Sequence, residues 1–279
     1  MKSINCNLCG GNQSTLYTKT HDLLYKTTQN SFTLVTCNRC GFAYLNPQPE
    51  PFEMNNFYPD NYRPHQTKTV DGRVYTLPKE STRRVLDVGC GWGDLLLELA
   101  QKYPTWALYG VDFDERAVHQ AQQYGFPVSY GSVNDAKYEN DFFDEIYMNH
   151  VLEHVHDPSS MIKEINRILK PGGTLHVLIP NFRSLSRMLF RQYWYHIDSP
   201  RHLYHFTPRT LTRMLKENGF AEVHTSFVPS PKYFLQSLSL WRSGKKRKWP
   251  RAIWRLFTLP AHAISWLGLS STMNATGKK

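Results

Sequence analysis

From Ser81 onward, short apolar runs alternate with amphipathic segments, and this alternation limits the fold more than any other feature of the chain. The run "RRVLDVG" precedes the helical pattern "GDLLLELAQKY", and "ALYGVD" precedes "DERAVHQAQQYG". The same order continues through "PVSYGS", "FFDEIYMNH", "DPSSMIKEINRILKPGG" and "TLHVLIPN". Strands that alternate with helices form βαβ crossovers. We therefore predict an α/β fold with a mostly parallel sheet and helices on both faces.

The loop after the first of these strands, "LDVGCGWGD", has the features of a ligand cradle. Gly89 and Gly91 allow a sharp turn and let a ligand approach the backbone closely. Asp87 precedes them, and its carboxylate suits a ligand with a positive sulfonium and an ammonium group better than it suits a pyrophosphate. Asp112, at the end of the second strand, can accept hydrogen bonds from ribose hydroxyls.

Further candidates follow the other strands. Phe113 comes directly after Asp112 and is placed to lie against an adenine face, and Ser132 follows the third strand. The fourth strand ends in Asn149 and His150. Ligands of open parallel sheets bind at the carboxyl ends of the strands, so we expect all of these residues at one edge.

With these motifs, residues 83–228 resemble the class I S-adenosylmethionine (SAM) dependent methyltransferases. The likeness rests on "VLDVGCGWGD", "GVDFD", "FDEIYMNHVLEHVHDP" and "LKPGGTLHVLIPN". It implies a Rossmann-like fold with a seven-stranded, mostly parallel sheet, and SAM as cofactor. The implied cofactor-binding residues are Asp87, Gly89, Gly91, Asp112, Phe113, Ser132 and Asn149. We interpret Cys90, inside the loop, as a small filler rather than a nucleophile, because the methyl group moves directly from sulfur to the acceptor.

Four of the five cysteines form two C-x2-C pairs near the N-terminus. They are Cys6, Cys9, Cys37 and Cys40. Two such knuckles supply the four thiolates of a tetrahedral zinc site. The alternatives are four unrelated thiols or a redox pair, but neither pair follows a strand in a βαβ unit. We predict structural zinc in a zinc-ribbon-like module spanning residues 1–50, followed by a linker at residues 51–80.

Histidines are the candidates for the acceptor side, because methyl transfer to a hydroxyl requires a group that takes the proton. His150 ends the fourth strand, and we expect Glu153 and His154 one turn into the following helix. The stretch "YWYHIDSPRHLYHFTP", after the fifth strand, adds His202 at the same edge of the sheet. The predicted catalytic residues are His154, His202 and His150.

Other interpretations of these histidines stay open. His154 and His202 can be packing or capping residues. A metal set of His196, Asp198, His202 and His205 is possible in composition but lacks a recognisable spacing. Arg201 can pair with an anionic group of the substrate or, more simply, fix the segment to Asp198.

The methyltransferase domain is predicted to span residues 81–279, with inserts at about 183–206 and 230–270. The first insert ends where Thr207 caps a helix that stops at Gly219. "FAEVHTSFVP" and "TMNATGK" are interpreted as the last two strands, the final one antiparallel. The second insert lies between them and is expected to be helical.

Charge and hydropathy in the second insert indicate a surface partner. The formal net charge is +10, and the run "RSGKKRKWPR" precedes "WPRAIWRLFTLPAHAISWLGL". Its cations and two prolines make a poor transmembrane helix, but residues 242–269 fit a helix lying on an anionic membrane surface. A lid over the active site is the compatible alternative. No signal peptide is apparent, so we expect a cytoplasmic protein, peripheral at the inner membrane face.

A narrower likeness concerns the acceptor. The double C-x2-C, "NPQPEP", "NNFYPDNY" and "PRHLYHFTPRTL" are similar to bacterial zinc-ribbon methyltransferases associated with surface-polysaccharide or cell-envelope biosynthesis. Relatives that methylate nucleotide-linked sugars carry a further C-terminal domain, which weakens a sugar C-methylation assignment here. We expect a saccharide, lipid-linked or other small-molecule acceptor. The alternative is an RNA methyltransferase that uses the basic C-terminal region and the zinc module. Nucleic acid is less favoured, because the cysteine spacing and the apolar C-terminal helix differ from those of zinc-containing ribosomal RNA methyltransferases.

Overall fold

The computed structural model describes residues 1–59, 62 and 74–279, with only the backbone of residues 251, 252 and 255. The predicted linker, residues 51–80, therefore lies partly outside the described residues. Its first part forms a short 3₁₀ helix, Pro51–Phe57, whose Met54 and Phe57 side chains are buried.

The smaller of two sheets contains four strands. They are β1 (Ser14–His21), β2 (Ser31–Cys37), β3 (Ala43–Leu45) and β9 (Tyr204–His205). The order in the sheet is β1-β2-β3-β9, and all three pairings are antiparallel. Because β9 belongs to the first insert, the N-terminal module and the insert share one sheet.

The larger sheet contains seven strands. They are β4 (Arg83–Val88), β5 (Trp106–Asp112), β6 (Val128–Tyr130), β7 (Phe143–Asn149), β8 (Leu169–Pro180), β10 (Glu222–Val228) and β11 (Thr272–Lys278). The order is β10-β11-β8-β7-β4-β5-β6. Only β11 runs antiparallel to its neighbours. This confirms the predicted fold class.

Seven α-helices are described. They are α1 (Asp94–Lys102), α2 (Glu115–Gln123), α3 (Pro158–Ile168), α4 (Leu185–Phe190), α5 (Pro208–Glu217), α6 (Pro231–Ser243) and α7 (Arg251–Trp266). Helix α5 begins as predicted, since the Thr207 side chain accepts a hydrogen bond from the Thr210 N–H and Pro208 occupies the first turn. Helices α6 and α7 form the second insert.

The core lies between the larger sheet and its helices. Strands β4, β7 and β8 contribute Leu86, Ile146 and Leu175, all fully buried. Central parallel strands are covered on both faces, so they carry nearly continuous apolar runs. This is the pattern from which the sequence predicts them.

The segment between β7 and α3 differs from the prediction. Glu153 and His154 lie in a turn, not in the first turn of the helix. Helix α3 begins only at Pro158, because the Asp157 carboxylate caps it by accepting a hydrogen bond from the Ser160 N–H and proline favours the first helical position. The turn leaves the two side chains free to point toward neighbouring segments.

Candidate active site

The glycine loop after β4 forms a cradle at the carboxyl edge of the larger sheet. Gly89 and Gly91 have φ angles of 69° and 52°, a region that L side chains rarely adopt. A Cβ on Gly89 would lie 2.5 Å from Cγ2 of Val151, whereas a Cβ on Gly91 would meet nothing within 4 Å. The loop therefore requires glycine at Gly89 for packing and offers open backbone at Gly91 to a ligand.

Two carboxylates flank this cradle. Asp87 ends β4 and is 3% exposed; burial first, and then the neighbouring charge of Asp112, raise its pKa well above the usual range. Asp112 accepts hydrogen bonds from the N–H groups of Gly91 (2.7 Å) and Asp114 (2.8 Å). A cationic group beside Asp87 would relieve the mutual repulsion of the two acids, which fits the sulfonium and ammonium of SAM.

The other predicted cofactor residues lie around the same edge. Phe113 is 64% exposed beside the cradle, so its ring is accessible for stacking against an adenine. Both the N–H and the hydroxyl of Ser132 donate to Oδ2 of Asp135, at 2.8 and 2.5 Å. Asn149 is exposed at the end of β7. The roles of these residues toward SAM stay predictions.

Cys90 is buried in the loop and packs against the adjacent strand. A Cβ on Gly110 would lie 2.7 Å from its sulfur. Burial, followed by the charges of Asp87 and Asp112, raises the pKa of the Cys90 thiol. A protonated thiol in a tight space fits the interpretation of Cys90 as a filler.

The N-terminal cysteines form a compact four-sulfur cluster. The Sγ atoms of Cys6 and Cys40, and those of Cys9 and Cys37, are each 3.5 Å apart, and all four lie within 4.8 Å of one another. Zinc–sulfur bonds of about 2.3 Å place tetrahedral sulfurs about 3.8 Å apart. The cluster therefore fits the predicted structural zinc, which would tie the two knuckles of the ribbon together.

The predicted catalytic residues come together from two segments. The rings of His154 and His202 meet edge to face with centroids 4.6 Å apart, and His150 Nδ1 lies 3.1 Å from Oε1 of Glu153. The backbone carbonyl of Glu153 accepts hydrogen bonds from the N–H groups of Leu203 (2.8 Å) and Tyr204. The turn after β7 and the first insert thus form one wall beside the cofactor cradle.

This wall holds buried groups with strongly shifted pKa values. Burial alone would raise the pKa of Glu153, but the hydrogen bond and charge of His150, followed by the other nearby histidines, lower it to about 2. Burial, and then His202, lower the pKa of His154 to about 4. Near neutral pH, Glu153 is therefore an anion and His154 a neutral base.

Arg201 fixes the insert to the N-terminal module. Its guanidinium is fully buried and pairs with Asp22 of the module (2.5 Å) and with Asp198 (2.6 Å). Burial opposes the charge, but Asp198 and Asp22 outweigh it and raise the pKa of Arg201 further. Of the two roles considered for this arginine, the structure shows the pairing with Asp198, extended to a partner that sequence reasoning missed.

Sequence reasoning also missed three tyrosines. The Tyr58 hydroxyl lies 3.0 Å from His154 Nδ1, Tyr62 packs on Tyr58 with ring centroids 4.7 Å apart, and Tyr233 of α6 lies 4.3 Å from the ring of His196. The tyrosine-rich stretch before residue 63 was the available signal. That stretch bears on Tyr58 and Tyr62 only, and its composition predicts no more than a linker.

The metal interpretation considered for the first insert changes as well. Among the described residues, two groups of side chains are placed to hold a metal ion: the four cysteines, and Glu153, His154 and His202, whose ligand atoms all lie within 4.8 Å of one another. The set of His196, Asp198, His202 and His205 is not one of these groups.

Comparisons with known proteins identify the family of the chain and its fold. A family model described as a methyltransferase domain matches residues 62–225. A ubiquinone/menaquinone biosynthesis C-methyltransferase from Geotalea daltonii is 35% identical over 132 residues, 44% of this chain and 51% of that protein. A ubiquinone biosynthesis O-methyltransferase from Pseudomonas fluorescens is 35% identical over 117 residues, 39% and 48% of the two chains. The chain spans about half the length of these curated relatives.

Solved structures show the same fold. A SAM-dependent methyltransferase from Archaeoglobus fulgidus aligns with a TM-score of 0.51 and 21% identity, over 72% of this chain and 87% of that chain. The complex of a putative Haloferax volcanii methyltransferase with its Trm112 activator gives 0.52 and 19%, over 72% and 84%. These likenesses concern the fold alone. Because the family model matches more than half of the sequence, the chain belongs to the methyltransferase-domain family, with SAM as the cofactor that its fold and cradle support.

Proposed function

We propose that this protein transfers the methyl group of SAM to a hydroxyl of a small-molecule acceptor, either a saccharide or a lipid-linked compound, in cell-envelope biosynthesis. The observation that carries the proposal is the cluster of Glu153, His154 and His202 beside the cofactor cradle, in which Glu153 and His202 are buried and His154 is partly buried. Such a cluster can manage the proton of a hydroxyl acceptor.

The chain's own groups suit this chemistry. His202 Nδ1 lies 2.8 Å from the carbonyl oxygen of His196. A carbonyl only accepts, so Nδ1 carries the hydrogen and Nε2 keeps its lone pair. His154 is neutral near pH 7. Either ring can therefore accept a proton as the acceptor oxygen attacks the methyl carbon in line with the departing sulfur.

The surroundings of the cluster favour a small acceptor over RNA. Two side chains of the wall, His196 and His205, are 4% and 2% exposed, and the N-terminal module closes the wall through Arg201 and Asp22. A polymer needs an open basic groove beside the reacting group. A buried wall instead suits a molecule that enters the cleft alone.

Helices α6 and α7 suit a membrane surface, which favours a lipid-linked acceptor. The outer face of α7 exposes Leu256, Leu259 and Trp266 by 74%, 82% and 87%, and the basic residues 245–248 before it are also exposed. An apolar face flanked by cations is typical of interfacial helices on anionic lipid. Among the described residues, no helix is long and apolar enough to cross a bilayer.

Vesicle flotation tests the membrane part. We expect the protein to float with vesicles that contain anionic phospholipid and to remain below with neutral ones. Changing Lys245, Arg247 and Lys248 to glutamine should abolish the difference. Lys246 is left in place, because its Nζ lies 3.9 Å from the Tyr25 ring centroid. The matched control neutralises three exposed lysines on other elements, namely Lys102, Lys216 and Lys278.

Methyl-labelled SAM and a fractionated bacterial extract test the acceptor class. Label in the organic-phase lipids or in the saccharide fraction is the expected result, whereas label in RNA would favour the runner-up function and contradict this one. Alanine at His154 or His202 should lower turnover by about 10²- to 10⁴-fold for whichever residue acts as base, with SAM affinity unchanged. Loss of SAM affinity instead would show that the histidine is structural.

A further inference from the structure

The Glu153, His154 and His202 cluster has a composition that proton transfer alone does not require. Two imidazoles and one carboxylate, drawn from two segments about 50 residues apart in sequence, bring their ligand atoms within 4.8 Å of one another. Two histidines with one carboxylate form a recurrent protein set for divalent transition metals, with open positions left for a substrate.

One atom of this cluster lacks a partner. Glu153 is 1% exposed, and its Oε2 has no hydrogen-bond partner, while Oε1 is held by His150. A buried carboxylate oxygen without a partner is costly, since it has lost its water without gaining a donor. The carboxylate of Glu153 belongs to the same group of ligands as the two imidazoles, so a cation bound there could satisfy its unpaired oxygen.

The two histidines are oriented by neighbouring groups, as metal ligands usually are. His202 directs Nδ1 to the carbonyl oxygen of His196 at 2.8 Å, which leaves Nε2 as the free donor atom. The Nδ1 of His154 lies 3.0 Å from the Tyr58 hydroxyl. In the tautomer in which Nδ1 donates to that oxygen, Nε2 keeps its lone pair as well. Second contacts of this kind fix the ring orientation at metal sites.

We propose that Glu153, His154 and His202 bind one divalent transition-metal ion of the zinc type, separate from the ion of the four cysteines. Bonds of about 2.0 to 2.2 Å would bring the three ligand atoms to about 3 to 3.5 Å from one another. From separations of at most 4.8 Å, the ligand atoms therefore need to close by at most about 1.3 to 1.8 Å, which rotations of the two rings and the carboxylate provide.

The role of this ion in catalysis rests on the proposed methyl transfer. Where the ion is bound, it replaces proton acceptance by the two histidines, because their Nε2 atoms are then ligands. An acceptor hydroxyl bound to the cation becomes more acidic, so its O–H bond breaks, the proton leaves to water, and the oxygen takes the methyl group as the C–S bond breaks. The metal keeps its oxidation state, and S-adenosylhomocysteine leaves as a neutral thioether. Acceptors with two adjacent oxygens would be preferred, because they can chelate the cation through its open positions.

Metal stoichiometry and cobalt spectroscopy on the full chain test the inference without any acceptor. We expect two Co²⁺ ions per wild-type chain, one with thiolate charge-transfer absorption and one without it. Glu153→Gln and His202→Asn should each lose the second ion and keep the thiolate-bound ion. His119→Asn, at an exposed histidine on α2, is the matched control and should keep both.

SAM affinity and near-ultraviolet circular dichroism establish that each variant is folded. One ion per wild-type chain, or two ions in both cluster variants, would overturn the inference. The proposed function is tested separately from the metal site. If the protein transfers methyl groups but binds only the thiolate-held ion, the metal site is wrong and a histidine accepts the proton directly. A second ion without any transfer would leave the metal site standing and remove the proposed function.

Discussion

The two halves of the proposed active site, one for the cofactor and one for the acceptor, are built in opposite ways. The cofactor half is one contiguous loop with its strand ends, where backbone conformation at Gly89 and Gly91 creates the cradle. The acceptor half combines four segments that are distant in sequence and contact one another only in the fold. They are the N-terminal module, the turn after β7, the first insert and α6. We therefore expect the cofactor half to tolerate loss of the N-terminal module, and we expect the acceptor half not to tolerate it.

Removal of the four-cysteine metal should have the largest effect. Structural zinc contributes about 10 to 16 kcal/mol of apparent binding free energy in small domains, and β9 pairs directly with β3 of the module. Chelation, or Cys37→Ser, should unfold the ribbon and disorder the first insert, which limited proteolysis would detect. SAM affinity should change little. Equal loss of SAM binding would contradict the division into two halves.

Breaking the buried ion pair should have the next largest effect. Arg201→Met leaves the carboxylates of Asp22 and Asp198 without their cation, and such losses cost about 3 to 5 kcal/mol. Arg213→Met is the matched control, since Arg213 pairs with Glu217 on the exposed face of α5, and exposed pairs contribute less than about 1 kcal/mol. Denaturant unfolding measures both changes. Similar losses in the two variants would refute a special role for Arg201.

A methyl group added to the glycine loop should disturb the cofactor half and not the acceptor half. Gly89→Ala combines a left-handed backbone, which costs a non-glycine residue about 1 to 3 kcal/mol, with a Cβ 2.5 Å from Val151. SAM affinity should fall, while the spectrum of the thiolate-bound metal stays unchanged. Gly172→Ala is the control, because its φ is 77° but its Cβ would meet nothing within 4 Å. Calorimetric titration with SAM separates the two variants.

Acid should destabilise the acceptor half, with an effect that is the smallest in this series near pH 6 and grows as the pH falls. Burial first, and then the neighbouring His202, lower the pKa of His205 to about 3, against an ordinary value of 6.5, while Glu153 acts in the opposite direction. Below pH 6.5, His205 takes up a proton in the unfolded chain, whereas in the folded chain it stays neutral until about pH 3. The stability is therefore complete above pH 6.5 and falls as the pH drops through this window.

Phenylalanine at His205 isolates that contribution. The ring packs near Phe182 and Trp194, and neither nitrogen has a hydrogen-bond partner. His205→Phe should reduce the slope of unfolding free energy against pH by up to about 1.4 kcal/mol per pH unit between pH 6.5 and 3. His119→Phe, at an exposed position, should leave the slope unchanged. A slope that stays the same in His205→Phe would show that this histidine does not titrate as described.

Features that depend on local order could be predicted from the sequence. Alternating apolar runs predicted the strands and helices of the larger sheet, the glycine spacing predicted the cradle, and each C-x2-C pair predicted half of the four-sulfur cluster, since each of these patterns lies within a short segment. Thr207 could likewise be read as a helix cap, because capping involves only the next few residues.

The assembly of the acceptor half could be learned from the tertiary structure but not from the sequence. The pairing of Arg201 with Asp22 spans 179 positions, and the Tyr58 hydroxyl meets His154 across 96. The stretch "YWYHIDSPRHLYHFTP" shows its histidines, but not that β9 completes the sheet of the N-terminal module or that Glu153 joins His202. Contacts between distant segments depend on how whole elements pack, and no local periodicity or spacing in one sequence records that packing.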